Sequence, residues 1–349
     1  MIIERKFTKG EIERAGNLLR QENTSQNELE WAENVLENLR AMYAYPLNTF
    51  QSTLRDKLVA TQAEKRVVAQ RLKRSPSIIS KLQRFPQMNL SRMQDIGGLR
   101  AILENITEVR RLEENYRNSR FQHELVGEKD YINTPQKSGY RGIHLIYKYK
   151  NKNVPQYDGL LLELQFRTKL QHIWATSVET VGTFISSSLK SSKGPQDWLE
   201  FFALVGTVFA IIEKSPRVPG FESLSEQEIY KKVAVDAKNL KVIDSLQAFN
   251  VVADRIKGKP GSYHLLLLDL DIKTVSFNSY GQKDFEAANK EYSAQEQNIK
   301  NNNRNAQVVL VSTSSVDALK KAYPNYFLDT VEFIKELKKI IKRSDKSFV

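Results

Sequence analysis

"RMQDIGGLRAIL", residues 92–103, sets an aspartate just before a short apolar run that opens on two glycines. The run GLRAIL has strand length and β-favouring residues. Glycines at its mouth let another backbone or a ligand come close. A carboxylate at a strand entrance is either a turn or cap aspartate, or a ligand for Mg²⁺, which takes one or two carboxylates and completes its shell with substrate oxygens. A second stretch, "LLLELQFRT" (160–168), carries an acid inside an otherwise largely apolar strand. Burying that charge is costly unless it is paired or metal-bound. Strand alternation puts Glu163, Gln165 and Arg167 on one face, a polar row that suits a site better than a core. If the two strands are neighbours, Asp95 and Glu163 converge on one metal.

Working outward, residues 10–42 and 47–84 read as two amphipathic helices broken near Pro46. Strands are expected at 98–103, 143–150 and 160–168, with helices at 106–118, 168–188 and 195–214. The proline- and glycine-bearing stretch "SPRVPGFESLSEQE" (215–228) is the best linker candidate. After it come a long helix to about Lys257, the strands "YHLLLLDLD" and "TVSFNSY", a polar helix ending in "NIKNNNRNA", the strand "QVVLVST" and two terminal helices. The fold class expected is α/β (α+β): a mixed β-sheet flanked by helices, with a smaller C-terminal α/β domain. The division expected is 1–215, a connecting 216–262, and 263–349.

The 349 residues carry a formal net charge of +12, which favours anionic partners: nucleotides, nucleic acid or an acidic membrane surface. Cysteine is absent, which excludes disulfides, thiolate zinc sites and cysteine nucleophiles together. No signal-peptide pattern opens the chain and no run of about 18 apolar residues occurs, so a cytoplasmic protein without a membrane partner is expected. The segment from Lys65 to Arg84 holds seven Lys or Arg and no acid. Further on, "EKDYINTPQKSGYRGIHLIYKYK" (128–150) gathers four lysines and four tyrosines around a glycine turn, a composition suited to a polyanion carrying a base.

"RLKRSPSIISKL", "DIGGLR", "KDYINTPQKSGYRGIH" and "ELQFRT", in that order and at these spacings, resemble the synthetase domain of the RelA/SpoT family over about residues 65–190. The resemblance implies a nucleotidyltransferase-like mixed sheet. It also implies transfer of the β,γ-pyrophosphate of ATP to the 3′-hydroxyl of an acceptor, with Mg²⁺. By motif, Arg71, Lys73, Lys81 and Arg100 would bind ATP, and Asp95 and Glu163 would be catalytic and hold the metal. Lys129, Lys137, Tyr140, Arg141, His144, Gln165 and Arg167 would line the acceptor side, with Tyr140 stacking the acceptor base. Hydrolases of the family use a histidine-aspartate metal cluster ahead of the synthetase. The first histidine here is His123, so a synthetase without hydrolase is expected.

Two acceptors compete: GDP or GTP, giving an alarmone, and the 3′ CCA end of tRNA, giving a translation-blocking toxin. Gln136 and Ser138 depart from the usual "PKxNGY", and the basic stretch with Arg110, Arg111, Arg117 and Arg120 exceeds what a mononucleotide needs, so tRNA is the leading expectation. Tyr323 and Tyr326 resemble the neutralising Tyr-x-x-Tyr element of CapRel-type fused toxin–antitoxin proteins, which act in phage defence. That resemblance implies an autoinhibited toxin released when a trigger, such as a phage protein, binds the C-terminal domain. A third expectation, of another class, is a non-catalytic RNA- or nucleotide-binding protein.

Overall fold

The structure, a computed structural model, describes residues 3–62, 67–184, 196–240, 242–243, 246, 263–269, 274–281, 283–302, 304, 306–312 and 330–345. Three helices open it: α1 (Lys9–Arg20), α2 (Gln26–Met42) and α3 (Ala44–Ala60). Thr8 and Glu11 close a capping box on α1, each satisfying the other's backbone N–H. Pro46 falls in the first turn of α3, where its missing N–H has no partner to lose, so the expected break shrinks to one residue, Tyr43.

The helix expected over 47–84 is instead α3, a strand β1 (Val67–Leu72) and a helix α4 (Ser75–Arg84). β-branched Val67 and Val68 pair with β2 (Gly97–Leu103), and Pro76 restarts the helix within its first turn. The strands and helices expected at 98–103, 106–118, 143–150, 160–168, 168–188 and 195–214 are present over the described residues, with 185–188 and 195 outside them. They are β2, α5 (Ile106–Arg117), β4 (Ile143–Lys148), β5 (Leu161–Thr168), α6 (Lys169–Phe184) and α7 (Gln196–Ile212). An unexpected strand β3 (Glu124–Asp130) precedes β4; its mostly exposed residues carry no apolar alternation to announce it. Farther on lie α8 (Glu226–Asn239), β6 (Tyr263–Asp269), β7 (Thr274–Tyr280), α9 (Phe285–Asn301), β8 (Ala306–Ser312) and α10 (Val331–Asp345).

The strands form one mixed α/β sheet in the order β3-β4-β5-β2-β1-β8-β6-β7. Among the described residues only β2 and β5 run parallel, and the other pairs are antiparallel. Their central pairing makes Asp95 and Glu163 neighbours. The first core cluster joins α1–α5 to the sheet through Leu36, Phe50, Leu54, Leu99, Leu164 and Phe166. A second is helical: α7, apolar on nearly every side and buried to match, packs with α6, α8 and α10 through Phe201, Phe202, Phe209, Val233, Phe333 and Leu337.

The described parts of 263–349 lie in two places. α10 belongs to the helical cluster, while β6, β7, β8 and α9 form a small unit at the far end of the sheet. That unit touches the strand–helix junction between β1 and α4. β8 pairs with β1 at Gln70↔Ser312 and Arg71↔Val311. Glu296 on α9 accepts from the backbone N–H of Ser75 (3.0 Å) and the hydroxyl of Tyr292, and pairs with buried Arg40 at 3.2 Å. The Arg40 guanidinium lies over the Tyr292 ring, 4.5 Å from its centre. Glu296 thus places a negative charge at the N-terminus of a ten-residue helix, where the exposed N–H groups favour one.

Candidate active site

Strand register assembles the site in rows. One row runs Arg71, Gly98, Glu163 across β1, β2 and β5; the next runs Arg100, Gln165, His144, Lys129 across β2, β5, β4 and β3. Partners in register share a face, so these side chains rise on one side of the sheet. Gly98 leaves the floor low between Arg71 and Glu163. Arg71, Asp95, Gly98, Leu99, Arg100, Glu163 and Gln165 line one cavity of about 60 Å³.

Asp95 enters from the turn before β2. Its carboxylate takes Lys81 at 2.8 Å from α4 and Lys73 at 3.0 Å from the end of β1. Burial pushes its pKa up, but the two ammonium groups outweigh burial and hold it at about 2. Lys73 is shifted down by burial, against the pull of Asp95. The same lysines that would grip phosphate therefore hold the acid.

Glu163 is nearly buried. Burial raises its pKa and Asp95 opposes its charge, but His144 and Gln165 outweigh both, so the carboxyl lies below its ordinary value. His144 Nδ1 meets it at 2.9 Å and Gln165 Nε2 donates to it at 2.6 Å. On the other side of the ring, Tyr140 Oη lies 2.5 Å from His144 Nε2, and Arg167 donates to Tyr140 Oη at 2.7 Å and to Gln165 Oε1 at 3.0 Å. With the Nδ1 proton of His144 toward Glu163, the contacts form one chain linking Arg167, Tyr140, His144 and Glu163.

The structure thus brings together Arg71, Lys73, Lys81, Asp95, Arg100, His144, Glu163, Gln165 and Arg167. Lys129 sits exposed at the end of its row, and Lys137 is exposed on the loop before Tyr140. Two of the residues expected on the acceptor side are enclosed. Tyr140 does not offer a stacking face: it is 8% exposed, with the Arg167 guanidinium 5.0 Å from its centre and Tyr131, His144 and Trp174 edge-on around it. Its hydroxyl meets His144 and Arg167. Arg141 is 2% exposed and binds Glu213 and Ser215 at the end of α7, each at 2.6 Å, so it does not line the acceptor side.

The arginines of α5 are also engaged. Arg110 pairs with Glu113 and Asp130, Arg117 with Glu113 and Glu128, and Arg111 donates to the Thr61 carbonyl. Tyr323 and Tyr326 lie outside the described residues. Sequence reading missed Glu213, Glu296 and Tyr292, whose partners lie tens to hundreds of residues away with no motif to link them.

Residues 70–181 match the family model described as a region found in RelA / SpoT proteins. Two curated relatives, both of Bacillus subtilis (strain 168), are similar over this part. GTP pyrophosphokinase YjbM is 33% identical over 111 residues, 31% of this chain and 52% of the relative. GTP pyrophosphokinase YwaC is 32% identical over 114 residues, 30% and 52%. The chain thus spans about half the length of the curated relatives it matches. Among solved structures, small alarmone synthetase 1 of Bacillus subtilis bound to its product pppGpp aligns at 22% identity, 49% of this chain, 89% of that one and a TM-score of 0.43. Small alarmone synthetase 2 of Bacillus subtilis aligns at 20%, 51%, 94% and 0.44.

Proposed function

We propose that this chain is an ATP-dependent pyrophosphokinase of the RelA/SpoT type, a synthetase. The carrying observation is the meeting of Asp95 and Glu163 in one cavity with Arg71, Arg100 and Gln165. In the reaction a ribose 3′-oxygen attacks the β-phosphorus of ATP, the bond between the α–β bridging oxygen and the β-phosphorus breaks, and AMP leaves. Arg71, Lys73, Lys81 and Arg100 bind the phosphates and offset the charge that moves, where most of the catalysis of such transfers lies.

The donor set fits Mg²⁺: two ionised carboxylates beside an open face that substrate oxygens complete. Asp95 and Glu163 would hold it, and it would supply further neutralisation of phosphate charge. Glu163, kept ionised and oriented by His144 and Gln165, accepts the hydrogen bond of the incoming hydroxyl.

A guanine nucleotide is the favoured acceptor. The curated relatives are GTP pyrophosphokinases, and two of the arginines that spoke for an RNA stem, Arg110 and Arg117, are paired with the protein's own carboxylates. The 3′ end of tRNA is the second reading, favoured by Gln136 and Ser138 where the nucleotide-binding pattern has lysine and asparagine. Labelled ATP offered with GDP, GTP and bulk tRNA separates the two by where the label lands.

We also propose that the C-terminal part restrains the enzyme. The support is the grip of Glu296 and β8 on the β1–α4 junction, the segment bearing Arg71 and Lys73. A toxin role in phage defence, with a phage protein as trigger at residues 263–349, rests on the CapRel resemblance of Tyr323 and Tyr326. Toxicity that appears when both tyrosines become alanine tests it; growth equal to that of the unaltered chain removes it.

A further inference from the structure

The loop 136–142 carries Tyr140, leads into His144 on β4, and lies on α7. Gly139, at φ +93°, takes a conformation that side chains resist, and a Cβ there would also meet the Phe202 carbonyl of α7 at 3.0 Å. From the other side, a Cβ on Gly206 of α7 would come within 2.8 Å of the Gly139 carbonyl. Trp174 Nε1 donates to the Phe202 carbonyl at 2.8 Å, beside the same contact. Backbone thus meets backbone through two glycines.

Arg141 then fixes the loop at the end of this helix. Glu213 accepts from Arg141 at 2.6 Å, from Gln171 at 3.1 Å and from the Thr168 hydroxyl, drawing on the loop, α6 and the last residue of β5. Ser215 takes the other arm of Arg141 at 2.6 Å. Lys214, between these two partners, has φ +52°. The bonds Ser215 N–H to Ala210 (3.0 Å) and Lys214 N–H to Ile211 (3.1 Å) close α7 in the pattern that usually ends on glycine. A lysine held left-handed turns Glu213 and Ser215 toward one guanidinium. Thr168 directly follows Arg167, the residue that holds Tyr140.

We propose that Glu213 is a positioning residue for the acceptor. Through Arg141 and Thr168 it fixes the 136–142 loop against β5, and so sets the Tyr140–His144–Glu163 chain. The catalytic unit then extends past the matched 70–181 region to at least Ser215. This rests on the reading above that the cleft takes an acceptor hydroxyl.

The test uses the full chain with Glu213→Gln, and with Arg141→Met added to Glu213→Gln so that neither charge is buried alone. Amide hydrogen exchange is followed over 131–145 and over 67–103, together with KM for GTP and for ATP. In the double variant, exchange at 131–145 should speed while 67–103 holds. The GTP KM should rise about ten-fold or more, with the ATP KM nearly unchanged. Unaltered exchange at 131–145 with an unaltered GTP KM overturns the proposal. So does exchange that speeds equally in both segments, the mark of a general loss of stability. If the unaltered chain transfers label to no acceptor, the functional reading fails, and the exchange measurement still decides the clamp.

Discussion

A glutamate among leucines in β5 is costly unless something answers its charge, and His144 and Gln165 answer it. Asp95→Asn and Glu163→Gln should each lower transfer by about 10²–10⁴-fold, measured as kcat, in protein that still melts cooperatively. Asp95 also carries a pH signature. Its folded-state pKa of about 2 lies below the ordinary value of an aspartate, so its contribution to stability is full above the unfolded value and lost as pH falls through the folded one. The stability gap between the unaltered chain and Asp95→Asn should stay constant near neutrality and close between about pH 4 and pH 2 in acid-denaturation curves. At this scale the sequence was legible where strand alternation rules, as in the Glu163, Gln165, Arg167 row. It was not legible in the loop. Nothing near Arg141 says that its partner is Glu213, 72 residues on, and nothing near Tyr140 says that Arg167 covers its face.

Elements were read well where their pattern was their own. The β2, β4 and β5 strands and the α5, α6 and α7 helices follow from local periodicity and turn residues. β1 did not, because the six residues VVAQRL sit inside a basic run that reads as a helix face, and only pairing with β2 decides between them. The join between α7 and the acceptor loop makes two further predictions. Gly206→Ala forces a Cβ against the Gly139 backbone and should cost about 1–3 kcal/mol in chemical denaturation. Lys214→Gly relieves a left-handed residue and should leave stability unchanged or raise it by up to about 1 kcal/mol.

Across the whole molecule, the net charge of +12 predicted an anionic partner but not where it binds. Among the described residues several of the cations counted toward that charge are paired, with Lys73 and Lys81 on Asp95 and Arg110 and Arg117 on neighbouring acids. The C-terminal strands add to the sheet beside β1, a contact across some 240 residues that no local pattern reveals. If that contact restrains the enzyme, Glu296→Gln should raise turnover about 5–150-fold, the usual range of coupling between two sites; turnover equal to that of the unaltered chain removes Glu296 from the restraint.

The most direct measurement is transfer of γ-labelled phosphate from ATP, with Mg²⁺, to GDP, GTP or bulk tRNA. It should use the full chain and its Glu296→Gln variant, beside Glu163→Gln. Label on the guanine nucleotide, stronger in Glu296→Gln and lost in Glu163→Gln, is the expected result. Folded protein that labels no acceptor in either active form, or labels equally well without Glu163, would contradict a pyrophosphokinase built on Asp95 and Glu163.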